Sequence, residues 1–239
     1  MLETESSASF EAPRLTPTSL SAQVYGSLRT SLANGELAPD QRLNGRILAE
    51  RLGVSQTPVR EAMLQLVAER ALTLNRNKSV TVPSLTAAQF VELRDIRVAL
   101  ETQAVRCAVD HVTDAAIDEI AALHRQMIDA KSRGDFRATM RLNRELHLKT
   151  YRLSGRPELV AMIESVWVRT GPYLNLLYQH GGQVVTADHE HERLIDGLRG
   201  RDADACAASI QRDIVNGGAP IVEALRAAGA PGVRLNAAR

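Results

Sequence analysis

Gly53-Val54-Ser55-Gln56-Thr57-Pro58-Val59-Arg60-Glu61-Ala62-Met63 is the stretch on which the reading of this chain turns. Gly53 supplies a residue free to turn. Ser55 can cap a helix, and Pro58 falls in the first turn, where a missing N–H does no harm. Val59, Ala62, Met63, Leu66 and Val67 recur at i, i+3, i+4, i+7 and i+8, which marks one core-facing stripe. Gln56 and Arg60, four apart, lie on a different face. Ser55, Gln56, Thr57 and Arg60 therefore crowd one exposed helix end with donors suited to base edges and phosphates. An ordinary amphipathic helix with a polar start would look the same, so the flanking sequence has to decide.

Upstream, Ala22 to Ala33 reads as a helix with Val24, Leu28 and Leu32 at four-residue spacing, ended by Asn34-Gly35. Leu37 to Leu43 reads as a short extended turn. Ile47-Leu48-Ala49-Glu50-Arg51-Leu52 is a second small helix closing on Gly53. Downstream, Leu72-Thr73-Leu74 and Val80-Thr81-Val82 alternate as strands do, joined by the polar loop Asn75-Arg76-Asn77-Lys78-Ser79. Two helices, a recognition helix and a two-stranded wing with a basic tip make a winged helix-turn-helix, a fold that docks on duplex DNA.

Residues 20–82 resemble the DNA-binding domain of the GntR family of bacterial transcription regulators. The resemblance is carried by Tyr25-Gly26-Ser27-Leu28-Arg29, Gly35-Glu36-Leu37-Ala38-Pro39, Arg42-Leu43, Leu48 to Ser55, and Thr57-Pro58-Val59-Arg60-Glu61-Ala62. It implies a palindromic operator bound by a homodimer, with Arg46, Ser55, Gln56, Thr57 and Arg60 at the DNA and Arg76 and Lys78 on the wing. Three positions depart from the family pattern. Gln56 stands where arginine is usual, Asp40 replaces a turn glycine, and Lys78-Ser79 replaces an arginine-glycine wing tip.

Length and charge agree with two parts. The chain of 239 residues is long enough for two ordinary cores. Net charge is +1, yet residues 15–82 hold eight Arg and Lys against five Asp and Glu, so the positive field sits on the DNA-binding part. No apolar run of about 18 residues exists to span a membrane. The acidic, Ser-rich start is no signal peptide, which points to a cytoplasmic protein. Cys107 and Cys206 lie far apart on helical segments, and buried thiols suit them better than a disulfide.

The expected organisation is a disordered tail over 1–14, the winged helix-turn-helix over 15–83, an all-α antiparallel helical bundle over 84–228 and a flexible tail over 229–239. Within the bundle, six helices are expected near 86–111, 114–132, 135–154, 157–178, 184–200 and 202–228. Ser84 or Thr86 can cap the first, Gly181-Gly182 breaks the chain late, and Gly171-Pro172 should kink or split the fourth helix. The fold class is thus mainly α.

This second half resembles the FCD effector-binding domain of the FadR/VanR branch of the same family. The carrying stretches are Glu92 to Glu101, Leu142-Asn143-Arg144-Glu145-Leu146-His147, Ser154 to Leu159, Glu190 to Ile195 and Arg201 to Ala205. Six helices fit the VanR-like subtype. The resemblance implies a small organic acid effector and, in many members, a divalent metal held by an aspartate and three histidines. The matching positions here are Asn143, His147, His191 and Asp213. Asparagine replaces the aspartate and aspartate the last histidine, so the carboxylate count stays at one. An amide oxygen for a carboxylate and the loss of an imidazole predict a weaker site, shifted from zinc or nickel toward oxygen-preferring manganese.

Spacing supports part of this directly. Asn143 and His147, four apart, share one helix face, and facing helices of a bundle can bring His191 and Asp213 to the same interior point. The alternative is that His147 and His191 are hydrogen-bonded core histidines. Arg97 shares a stripe with Leu93, Leu100 and Ala104, and a core-facing guanidinium needs an anion. Glu101, one turn on, can supply it; the resemblance instead implies an effector pocket lined by Arg97, with Arg94 a further candidate. His111, His124, His180 and His189 read as surface or ordinary packing residues, and Trp167 and Tyr173 as core. A metal-dependent enzyme on a helical bundle is the competing reading. It lacks an evident base or nucleophile beside the cluster, and His189-Glu190-His191 lacks metalloprotease spacing.

Overall fold

A computed structural model describes residues 19–174 and 185–229. The expected tail at 1–14, all of the expected 229–239 tail but Gly229, His180, the Gly181-Gly182 break and the end of the fourth bundle helix beyond Leu174 lie outside the described residues.

The N-terminal part runs α1 (Leu20–Ala33), β1 (Arg42–Leu43), α2 (Gly45–Leu52), α3 (Gln56–Ala68), β2 (Thr73–Leu74) and β3 (Val80–Thr81). Its boundaries follow from local chemistry. Asn44 caps α2 by accepting from the N–H groups of Arg46 and Ile47. Gly53 ends α2 in the left-handed region at φ 66°, where an L side chain would be strained. Ser55 occupies the N-cap of α3 but makes no capping bond, which leaves its hydroxyl for another partner. The stripe expected on α3 is buried: Val59, Ala62, Met63 and Leu66 pack with Val24, Leu28 and Leu32 of α1.

The wing has one strand more than the sequence indicated. Arg42–Leu43, read as an extended turn, pairs with β3 as β1, so the sheet order is β1-β3-β2, all antiparallel. Leu43 and Leu74 both stand opposite Val80, and Leu43 and Val80 close the small core from the sheet side. Asp40 and Lys78, two of the departures from the family pattern, both adopt positive φ, 63° and 61°. Each puts a side chain into backbone space that favours glycine.

Six helices follow among the described residues: α4 (Ala87–Val109), α5 (Asp114–Ser132), α6 (Phe136–Arg152), α7 (Pro157–Leu174), α8 (Val185–Arg199) and α9 (Ala203–Ala228). Of the two candidate caps for α4, Thr86 serves, in a capping box with Gln89. Thr113, Asp135 and Asp202 cap α5, α6 and α9. α9 lies along α4 and α8, and α5 lies along α6. Their common core includes Ile117, Ile120, Leu146, Tyr151, Ile163, Trp167, Leu194 and Ile210.

Gly171-Pro172 does not split α7, which runs through both residues to Leu174. The reason is a close approach to α1. A Cβ on Gly171 would lie 2.3 Å from the carbonyl oxygen of Leu32 and 2.7 Å from that of Ala33. α7 is therefore held as a helix against the backbone of the DNA-binding part, and Val168 joins that part's core. Glu36 and Arg137 form an ion pair at 3.0 Å beside this seam. Tyr173 donates its hydroxyl proton to the carbonyl of Pro83 and accepts from the N–H of Leu85, which fastens the connecting segment.

Candidate DNA-reading groove and candidate metal centre

The first site grows from the N-terminal end of α3. Arg46, Gln56, Thr57, Arg60 and Lys78 line one groove of about 1020 Å³ between α2, α3 and the wing. All five are exposed, as are Ser55 at the start of α3 and Arg76 at the wing tip, which lie outside that lining. Among the described residues, Arg46, Arg60, Arg76 and Lys78 enter no ion pair, so their charge remains available to phosphates. The floor is apolar, built from Met63, Leu64, Leu74 and Val80. Leu64 and Leu74 are exposed, and a thymine methyl is the part of a base edge that apolar side chains contact. Neither leucine stood out in the sequence: Leu64 lies outside the stripe of Val59, Ala62, Met63, Leu66 and Val67, and Leu74 entered only as part of a strand.

The second site lies inside the bundle. His147 of α6, His191 of α8 and Asp213 of α9 bring three ligand atoms within 4.8 Å of one another. His147 Nε2 is 3.0 Å from His191 Nε2 and 3.3 Å from Asp213 Oδ2, and His191 Nε2 is 3.8 Å from Asp213 Oδ1. Both imidazoles are buried. Asn143, one turn before His147, is half-buried on α6.

The donor set fits a divalent cation. Two ring nitrogens and a carboxylate oxygen, with an amide oxygen one turn away, are borderline ligands of the kind zinc, nickel and manganese accept. Two Nε2 atoms 3.0 Å apart need a proton or a cation between them. His191 Nδ1 is buried with no hydrogen-bond partner among the described residues. Burial pushes the His191 imidazole down to about 3, against the opposing pull of Asp213, so it stays neutral and able to ligate. Burial acts to raise Asp213, but His147 and His191 outweigh it and hold the carboxyl below its ordinary value.

Arg97 is buried, and its charge is matched within the protein. Its Nε donates to Glu101 Oε1 at 2.7 Å, and its guanidinium lies over the Trp167 ring, 4.5 Å from the centroid. Glu101 also accepts from Trp167 Nε1 at 2.9 Å and from the Tyr151 hydroxyl at 2.6 Å. Tyr151 in turn meets His147 Nδ1 at 2.9 Å, so this network runs into the cluster. Burial first, then Glu101, raises Tyr151 well above its ordinary value. Of the two anions open to Arg97 from the sequence, Glu101 is the one it meets. Arg94 points elsewhere: it pairs with exposed Asp95, and its stem rests near Gly218 of α9.

His124 takes the packing side of its sequence reading: it is buried on α5 with its ring edge-on to His191, centroids 5.6 Å apart, beside the cluster. His111 and His189 are exposed, as expected. Trp167 is core, yet it also touches His147 and Glu101.

Known proteins agree with this architecture. The model of bacterial regulatory proteins of the gntR family matches residues 20–82, and the FCD domain model matches residues 92–216. The chain is similar to the HTH-type transcriptional regulator McbR of Escherichia coli (strain K12), 37% identical over 190 residues, covering 79% of this chain and 86% of that protein. It is 32% identical over 193 residues to the Nta operon transcriptional regulator of Aminobacter aminovorans, covering 80% and 89%. Among solved structures, E. coli McbR/YncC superposes with a TM-score of 0.82 at 34% identity, covering 86% of this chain and 98% of that one. These relatives are transcription regulators, and the enzyme alternative finds no support among them. The chain belongs to the GntR family of bacterial regulatory proteins, a DNA-binding regulator with a winged helix-turn-helix and an FCD domain.

Proposed function

We propose that this regulator is a repressor that holds a palindromic double-stranded operator as a homodimer, in the cytoplasm, and alters its hold when a small organic acid binds at the buried FCD cluster. The observation that carries the ligand-responsive part is the convergence of His147, His191 and Asp213 from three helices on one buried point. Charge balance supports the ligand class. Arg97 and Glu101 cancel, and Asp213 leaves one negative charge. A divalent cation on His147, His191 and Asp213, with Asn143 contributing through its amide oxygen, turns that excess positive. A carboxylate then finds its counter-charge on the metal, with Arg97 behind it; without the metal it would face Asp213 and Glu101. When bound, the cation would supply a Lewis-acidic point for the acid's oxygen. Arg94, paired with exposed Asp95, contributes little to this reading.

On DNA, the reading places Arg46, Ser55, Gln56, Thr57 and Arg60 at bases and phosphates of each half-site, with Arg76 and Lys78 of the wing reaching the flanking backbone. Two-fold symmetry of protein and operator should match.

The test selects duplexes from a random-sequence pool with the purified full-length protein. Affinity for the enriched duplex is then followed by anisotropy with chelator, with zinc, nickel or manganese, and with metal plus a panel of organic acids. An enriched palindrome, and a metal-dependent change of about fivefold or more on adding one acid, are the expected results. An affinity indifferent to every metal and acid overturns the ligand-responsive part, and a pool that yields no enriched sequence overturns the operator.

A further inference from the structure

Glu101 is fully buried and receives donors from three residues: Arg97 through Nε and, at 3.5 Å, Nη2, Trp167 through Nε1 and Tyr151 through its hydroxyl. Paired with the Arg97 guanidinium at 2.7 Å, Glu101 acts as a carboxylate, an acceptor-only group that takes all three. The 2.6 Å bond to Tyr151 has the short length of a hydroxyl donating to a charged oxygen. Tyr151 has one hydroxyl proton, and Glu101 takes it. At His147 Nδ1, 2.9 Å away, the tyrosine oxygen can then only accept. His147 Nδ1 must therefore carry a proton. A neutral imidazole has a single N–H, so its Nε2 is a bare lone pair, and Nε2 is the atom facing His191 and Asp213.

We infer that Glu101 and Tyr151 are positioning residues: their hydrogen-bond chain holds His147 in the Nδ1–H tautomer and so presents Nε2 to a divalent cation shared with His191 and Asp213. This inference rests on the metal-binding reading above and deepens it. The chain gives the His147 N–H a fixed acceptor, the arrangement by which an outer partner orients a metal-ligating imidazole and raises its basicity. Glu101 comes from α4, on which the FCD domain begins, so the stretch Arg97-Val98-Ala99-Leu100-Glu101 acts on the cluster without touching it. Arg97 and Trp167 keep that carboxylate charged and in place.

A second consequence separates the two histidines. With His147 neutral its Nε2 is bare and lies 3.0 Å from His191 Nε2, so with no cation bound His191 holds its proton on Nε2, directed at His147; a second proton on His147 would instead point its Nε2–H at Asp213 Oδ2, 3.3 Å away. With His147 neutral, the partnerless Nδ1 of His191 is then the bare nitrogen. A cation needs both Nε2 atoms bare. Binding therefore moves the His191 proton to Nδ1 and leaves His147 as it was.

The experiment uses full-length protein labelled with ¹⁵N-histidine at pH 8, treated with chelator and then titrated with zinc. Long-range ¹H–¹⁵N spectra distinguish the tautomers, and His147→Gln and His191→Gln assign the rings. The expected result is His147 protonated on Nδ1 before and after zinc, and His191 changing from Nε2–H to Nδ1–H. Tyr151→Phe removes the acceptor; it should leave His147 in mixed tautomers and weaken zinc binding by about 10- to 100-fold. A His147 carrying a proton on Nε2 in the chelated wild type overturns the inference, and so does a Tyr151→Phe protein that binds zinc as tightly as wild type. Wild type with the expected His147 tautomer but no zinc uptake keeps the hydrogen-bond chain and removes the metal reading instead.

Discussion

Trp167 and Val168 are consecutive on α7 and belong to different cores. The Trp167 indole is buried against Arg97, Glu101 and His147 inside the FCD bundle. The Val168 side chain is buried among the residues that hold α1 and α3 together. One turn on, Gly171 rests on the carbonyls that end α1. A single helix thus packs against the candidate metal cluster and against the core of the DNA-binding part.

Breaking that shared packing should uncouple the two parts before it unfolds either. Val168→Ala is expected to cost about 1–3 kcal/mol as a large-to-small core change. Zinc binding should persist, while any effect of zinc on DNA affinity shrinks. Gly171→Ala should act more strongly, because its Cβ would meet two backbone carbonyls that have no side-chain freedom to yield. Calorimetry should show one melting transition for wild type and a broadened or divided one for this variant. A Gly171→Ala protein that melts and couples like wild type would remove α7 from this role.

On the DNA face, Arg60→Ala should weaken operator binding by about 1–3 kcal/mol and relax preference at one base, since Arg60 lines the groove. Arg76→Ala should lower affinity evenly across sequences and reduce the salt slope by about 1. Lys78→Gly separates stability from binding. The positive φ of Lys78 costs about 1–2 kcal/mol that glycine would not incur, so the melting temperature should rise while DNA affinity falls. A titration at fixed salt beside a thermal melt decides each case.

The ligand set makes its own forecast. Asn143→Asp together with Asp213→His adds an imidazole at constant charge and should raise affinity for zinc and nickel. Cation binding to helices α6, α8 and α9 should also raise the wild-type melting temperature by mass action. Calorimetric titration of both proteins, with chelated samples as reference, measures the two effects; a double variant that binds zinc more weakly than wild type contradicts the assignment.

Alkali should loosen the join between the two parts. Tyr173 is pushed up to about 12, first by burial. A group raised in the folded protein favours folding below its unfolded value, about 10 for tyrosine. That contribution declines as the pH rises from about 10 toward 12, where the unfolded chain ionises first. Denaturant midpoints between pH 8 and 11 should fall for wild type and fall less for Tyr173→Phe, which keeps the ring but loses the bonds to Pro83 and Leu85.

Much of this architecture was legible because caps, stripes and turn residues act locally. Asn34-Gly35, Gly53, Thr86 and Thr113 mark element ends by chemistry within a few residues. Arg42–Leu43 escaped because two residues show no alternation, and only pairing with Val80–Thr81 makes them a strand. Gly171-Pro172 misled because its helical state depends on α1, more than a hundred residues earlier. The Arg97–Glu101 pair follows from one helical turn, whereas the partners of Glu101 on Tyr151 and Trp167 are 50 and 66 residues away and follow from no local rule. His124 gave no sign of its place because spacing says which face of α5 is apolar but not which turn meets α8.

The seat of Gly171 on Leu32 and Ala33 also bears on how freely such regulators can be recombined. A designer wishing to put this sensor behind a different winged helix could not cut cleanly at Pro83. The new partner would need an α1 ending in the same bare backbone step to receive Gly171, and a hole in its core the size of a valine. Without both, the grafted sensor would hang from its tether and report to nothing.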